Sequence, residues 1–233
     1  MQRSRPNLLG SKRRWPQVSP KEIRSSRVKD KSAEALSSAV RALKRGEVIV
    51  FPTETFYGLG ADAFGPGAVE RVVSLKGRNA DNPIAVIIGD QRMLTEIVTE
   101  IPLAAQKLMN HFWPGPLILV LPARKGLPRP LLSREGKIGV RISSHPVAKQ
   151  LPQALGRPVT ATSANPSGAE PARTIQEARR YFSDKIEIFL DGGRLGGRQG
   201  STVVEVLGDE LKMIREGAIS LHELQQSAGH NGK

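Results

Sequence analysis

Apolar residues recur at helical spacing early in the chain. Ala35, Leu36, Ala39, Val40 and Leu43 share one face, and Gly46 stops the run, so the pattern predicts a helix there. Residues 47–51 are short and apolar, as a buried strand is, and 52–60 (PTETFYGLG) read as a loop. Gly65-Pro66 opens a second helix with Val69, Val72, Val73 and Leu75 inward and Gly77 as its C-terminal cap. Residues 84–88 predict another strand, and 91–98 and 102–112 predict helices. Strands at 117–121 and 138–142 flank a Pro-rich loop, a candidate lid over 122–137. A helix over 146–155 and a strand over 158–162 lead into a small-residue loop at 163–168. A helix over 174–182, a strand over 186–191, a GGRLGG turn and a hairpin over 202–214 complete the pattern, with a short helix starting near Ser220. Interleaved helices and strands without strict βαβ regularity predict one α/β domain with a twisted mixed parallel/antiparallel sheet. There is no internal repeat.

Composition narrows the chemistry. At 233 residues, one domain plus a tail is the expectation, with 39% hydrophobic residues and no run long enough to cross a bilayer. The chain has no cysteine, which excludes disulfides, thiolate catalysis and Cys-based zinc sites, and a cytoplasmic setting fits. His111, His145, His222 and His230 lie far apart, so no His-based metal site is expected. The net charge is +13, and residues 1–31 hold ten Lys/Arg against Glu22 and Asp30, so that segment carries most of the excess. Its polar, basic composition predicts a disordered arm over 1–31, with the folded part over 32–220 and a tail over 221–233. The arm has three open readings: a solvated tail, a nucleic-acid contact and an organelle-targeting peptide. A basic surface also draws nucleotides and polyanions.

Candidate chemistry sits where strands end. No Walker-type loop is present, and the glycines at 192, 193, 196 and 197 have the wrong spacing for a dinucleotide fingerprint. A nucleotide site here must therefore rely on side chains. Lys76 and Arg78 bracket Gly77 at the end of the second helix. Cations at a helix C-terminus have a structural explanation in the helix dipole, and phosphate binding is the alternative. The 52–60 loop concentrates Thr53, Glu54, Thr55 and two aromatics, more polar chemistry than a turn requires. Arg141 interrupts an apolar strand; it either faces solvent or offers its planar fork to a carboxylate. Ser163 and Asn165 lie in a loop whose small residues let a ligand approach the backbone; a sheet edge decorated with Ser and Thr is the alternative. Ser201 and Arg215 are each weak signals alone.

Taken in order, FPTETFYGLG, LKGR with NP close behind, FWPGPLILVL, GVRI, TATSANPSG, GSTVV and IREG closely resemble the YrdC/Sua5 family, the threonylcarbamoyl-AMP synthases of tRNA modification. The match spans residues 32–220. The resemblance implies a YrdC-like fold around a large basic cavity. It also implies a reaction: L-threonine, bicarbonate and ATP give threonylcarbamoyl-AMP and pyrophosphate. A separate threonylcarbamoyl transferase complex then uses the product to make N6-threonylcarbamoyladenosine at position 37 of tRNA. By position, Thr55, Arg141, Ser201 and the backbone at Ala161 correspond to L-threonine contacts. Lys76, Arg78, Asn82, Ser163, Asn165 and Arg215 correspond to ATP contacts, with backbone help from Lys137 and Pro171. Lys76, Arg78, Ser163 and Asn165 are the expected catalytic set. Mg²⁺ is expected to accompany ATP, held by phosphate and water.

The chain departs from the family at two points: Asn79 follows K-x-R where many relatives have Pro, and Ile87 is apolar where some carry His. It resembles the short form, which lacks an additional C-terminal domain. Two competing readings stand beside this one. A non-enzymatic RNA-binding protein fits the charge but not the 4% aromatic content. A hydrogenase-maturation-type carbamoyl-transfer relative would carry zinc-finger segments, which need cysteine.

Overall fold

The computed structural model describes residues 26–77 and 82–228. Arg78, Asn79, Asp81 and residues 1–25 therefore lie outside the described residues.

The chain opens with α1 (Ser26–Lys44), which begins within the expected arm, six residues before Ser32. β1 (Ile49–Pro52) pairs antiparallel with β2 (Tyr57–Gly60). The expectation of a loop throughout 52–60 therefore needs correction. Gly58 and Gly60 serve ring packing more than turning: a Cβ on Gly60 would stand 2.8 Å from the Phe51 ring. α2 (Pro66–Lys76) starts on Pro66 and ends at Gly77, whose φ of 57° is the left-handed cap that glycine favours. β3 (Val86–Ile87) is short, and the helix expected over 91–98 is a 3-10 turn at Gln91–Met93 followed by α3 (Leu94–Ile97). α4 (Leu103–Phe112), β4 (Leu117–Pro122), β5 (Lys137–Arg141) and α5 (Pro146–Leu155) follow closely where the pattern placed them.

The strand expected at 158–162 is two short pieces, β6 (Val159–Thr160) and β7 (Thr162–Ser163), which join different sheets. α6 (Ile175–Phe182) is held by a capping box between Thr174 and Glu177. Residues 186–191 form one parallel bridge, Phe189 to Val50, with two backbone bonds, where a full strand was expected. β8 (Thr202–Leu207) and β9 (Glu210–Arg215) make the terminal hairpin. α7 (Leu221–Ala228) is a helix whose Leu224 is buried in the core, so residues 221–228 of the expected tail pack on the fold, and 229–233 lie outside the described residues.

Two sheets result. One is three-stranded, β1-β2-β7, and the other six-stranded, β6-β3-β5-β4-β8-β9. β3 with β5 and β4 with β8 are parallel; the other pairs are antiparallel. The main core packs α2, α4, α6 and α7 against the sheets, and a smaller cluster joins α1, α5 and β1 through Leu43, Phe51, Ile87 and Leu151. No helix among the described residues is long and apolar enough to cross a membrane.

Candidate active site

Strand alternation builds one wall of a cavity of about 800 Å³. In β5, Lys137, Gly139 and Arg141 line it, while Ile138 and Val140 turn into the core. In β4 the same rule sends Ile118 and Val120 to the cavity and Leu117, Leu119 and Leu121 inward. Arg141 is thus buried at 4% exposure and faces the cavity, which removes the solvent-facing reading. The opposite wall comes from the small sheet. Gly58 pairs with Ser163 across β2 and β7, and the Ala164 amide donates to the Tyr57 carbonyl at 2.7 Å. That pairing brings the PTET loop beside the S-x-N segment although a hundred-odd residues separate them.

Eleven of the twelve residues singled out by the resemblance line this cavity: Thr55, Lys76, Asn82, Lys137, Arg141, Ala161, Ser163, Asn165, Pro171, Ser201 and Arg215. The twelfth, Arg78, lies outside the described residues.

Lys76 ends α2, and its Nζ reaches across to the S-x-N loop. It donates to the Ser163 carbonyl at 2.8 Å, to Ser163 Oγ at 3.4 Å and to Asn165 Oδ1 at 3.2 Å. The ammonium therefore serves the cavity wall as well as the helix end. Asn165 also donates from Nδ2 to the carbonyls of Pro166 and Ala169, so its amide shapes the loop that carries Ser163. Across the cavity, Thr53 Oγ1 donates to the Phe56 carbonyl and accepts from the amides of Thr55 and Phe56, a side-chain turn that fixes Thr55. The Thr55 and Thr53 hydroxyls are 3.1 Å apart.

Glu54, part of the polar loop but given no role by the pattern, proves structurally important. Its carboxylate takes Arg141 Nη1 on one oxygen and the Ser143 hydroxyl on the other. Among the described residues, no other protein acceptor is bonded to the Arg141 guanidinium. Lys137 likewise pairs through its side chain with Glu205, a carboxylate buried within β8, where backbone help alone was expected of it. The one signal for Glu205 is a charge inside the apolar run TVVEVL. Arg215 closes the rim by donating from Nη2 to the Ser201 carbonyl at 2.9 Å. Although this residue is exposed overall, partial desolvation and then the nearby Arg141 charge push its guanidinium below the ordinary value.

Beside this wall, burial holds the His145 imidazole below its usual pKa, and its Nδ1 has no hydrogen-bond partner. The candidate lid is tied to the body of the fold: Arg124 donates to Ile97, Ile84 donates to Pro130, and Leu131 is fully buried. Ser133 and Lys137 are its residues at the cavity.

Among the described residues, the cavity lining sets Lys76, Lys137, Arg141 and Arg215 against one carboxylate, Glu216. With Arg141 and Lys137 already paired to Glu54 and Glu205, the arrangement suits an anionic ligand that also brings polar groups for Thr55, Ser163 and Ser201. A divalent cation finds no cluster of three acidic or His ligands among the described residues.

A family model, Sua5_yciO_yrdC, described as "Telomere recombination", matches residues 41–217. A protein of Pyrococcus abyssi named threonylcarbamoyl-AMP synthase is 37% identical over 187 residues, covering 80% of this chain and 55% of that protein. A protein of the same name from Halorhodospira halophila is 37% identical over 166 residues, covering 71% of this chain and 86% of that protein. The crystal structure of P. abyssi Sua5 complexed with L-threonine matches with a TM-score of 0.81 at 35% identity, over 85% of this chain and 58% of that one. The chain thus spans little more than half of the Pyrococcus protein's length. The chain belongs to the Sua5/YciO/YrdC family.

Proposed function

We propose that this chain is an enzyme that makes threonylcarbamoyl-AMP from L-threonine, bicarbonate and ATP, releasing pyrophosphate. The product serves N6-threonylcarbamoyladenosine formation in tRNA, completed by a separate transferase complex in the cytoplasm. The observation that carries the proposal is the convergence of eleven family-matched residues on one cavity of about 800 Å³. That volume lies within the range of small-molecule sites.

The roles follow from chemistry. Arg141 meets the threonine carboxylate with the part of its fork that Glu54 leaves, while Thr55, Ser201 and the Ala161 backbone hold the hydroxy-amino acid. Lys76, Arg78, Asn82, Ser163, Asn165 and Arg215 take the nucleotide, with the backbone at Lys137 and Pro171.

The threonine amine adds to bicarbonate and water leaves, giving a carbamate. A carbamate oxygen then attacks the α-phosphorus of ATP and pyrophosphate departs. Both reactants are anions, and cations in the wall lower their repulsion. Holding them together supplies on the order of 7–11 kcal/mol in favourable systems. The carbamate oxygen is already ionised, so this step needs no general base. Mg²⁺, when bound with ATP, neutralises triphosphate charge; among the described residues Glu216 is the one carboxylate of the lining, which suits an ion held by phosphate oxygens and water.

Pyrophosphate release measured with threonine and bicarbonate omitted in turn tests the proposal. Release should require both. Release that continues at the same rate without either one would overturn it.

A further inference from the structure

The GGRLGGRQG segment, residues 192–200, belongs to no helix or strand, and the function as proposed does not use it. Its glycines are not equivalent. Gly193 has a φ of 74°, and a Cβ there, or on Gly196, would meet nothing within 4 Å. A Cβ on Gly192 would stand 2.6 Å from the Pro52 side chain. A Cβ on Gly197 would stand 2.2 Å from the Thr55 carbonyl oxygen and 2.6 Å from its Cα. Backbone thus lies directly on backbone at Thr55, and side-chain rotation cannot relieve that contact.

The segment is also anchored at both ends. Tyr57 Oη donates to the Gly193 carbonyl at 2.8 Å and accepts from the Gly192 amide at 2.9 Å. The Leu195 amide donates to Arg173, and the Leu195 side chain is buried in the core. At the far end, the Gly200 carbonyl accepts from Ala218, and a Cβ on Gly217 would stand 2.2 Å from that same carbonyl. Four residues after its contact with Thr55, the segment delivers Ser201 into the cavity.

We propose that residues 192–200 form a strap that sets the separation between the Thr55 and Ser201 hydroxyls, with Gly197 as its positioning residue. The proposal rests on the reading that these two side chains hold the amino-acid substrate. The strap touches one of them by backbone contact and carries the other on its own chain. Its placement therefore sets the width of the amino-acid end of the cavity; on the nucleotide side it meets Arg215, which donates to the Ser201 carbonyl, whereas Lys76 and Ser163 are bonded to each other. Gly197→Ala needs a displacement of about 1 Å to bring its Cβ to an ordinary contact distance, and a misplacement of that size can cost about a hundredfold in rate.

The test compares steady-state kinetics of four variants. Gly197→Ala should lower kcat/KM for threonine about a hundredfold while the ATP KM stays within about twofold of the parent. Gly196→Ala, one residue away with open space around its Cβ, should match the parent. Should Gly197→Ala fail to fold, Leu195→Ala tests the same strap by loosening its anchor without a clash. It should raise the threonine KM about tenfold and leave the ATP KM unchanged. Thr55→Val checks the underlying reading. If Thr55→Val impairs threonine use, but Gly197→Ala and Leu195→Ala shift neither KM or both alike, the strap proposal is overturned and the subsite reading stands. If Thr55→Val behaves as the parent, the subsite reading fails and the strap proposal falls with it.

Discussion

Glu54→Ala isolates the buried ion pair that Glu54 makes with Arg141 of the cavity lining. Arg141 is 4% exposed and the Glu54 side chain 12%, so water replaces the lost carboxylate poorly. The substitution leaves a guanidinium without its partner and removes the acceptor of the Ser143 hydroxyl, a fully buried residue. Breaking one side of a buried pair costs about 3–5 kcal/mol, a large share of a typical stability of about 5–15 kcal/mol. For a chain of this size that amounts to a fall in Tm of about 6–20 °C. Urea unfolding followed by circular dichroism at 25 °C should show a lower midpoint with an unchanged slope. The double variant Glu54→Ala/Arg141→Met removes both charges and should recover most of the lost stability, yet stay inactive because the substrate carboxylate has lost its partner. A loss below about 1 kcal/mol in the single variant, or a double variant no more stable than the single, would refute the reasoning.

Other outcomes follow from the same geometry. Lys76→Ala should lower threonine-dependent pyrophosphate release by about 10²–10³-fold, the scale for removing one preorganised electrostatic partner; unchanged release would remove Lys76 from catalysis. Burial pushes the Tyr57 phenol up to about 12. Its folded pKa therefore lies above its unfolded value of about 10, so its contribution is intact below pH 10 and is lost as pH rises from there towards 12. Tyr57→Phe should flatten that alkaline loss in thermal melts, and a slope identical to the parent's would contradict the assignment.

The legible parts of the fold were those governed by local chemistry. α2 announced itself through Pro66, a 3–4 spaced apolar face and Gly77, and α6 runs over the segment the periodicity picked out, held by Thr174 and Glu177. β2 was missed because its two glycines look like turn residues, whereas they make room for the Phe51 ring. The bridge at Phe189 was over-read because an apolar run signals burial and not the length of pairing. The site was only half legible. Polar residues at strand ends marked Thr55, Lys76 and Ser163, but local spacing cannot show that β2 pairs with β7 and so joins them. For Arg141, whether it faces solvent or the cavity depended on the strand's register, which sequence alone left open. Glu54 and Glu205 act through residues distant in the chain, so no local pattern identifies their partners.

The central claim, that threonine and ATP share one hollow, is tested most directly by a crystal structure grown with L-threonine and a non-hydrolysable ATP analogue. The account predicts the threonine carboxylate within about 3 Å of the Arg141 guanidinium and the phosphates beside Lys76, in the same cavity. Threonine bound away from Arg141, or the nucleotide on another face of the molecule, would contradict it.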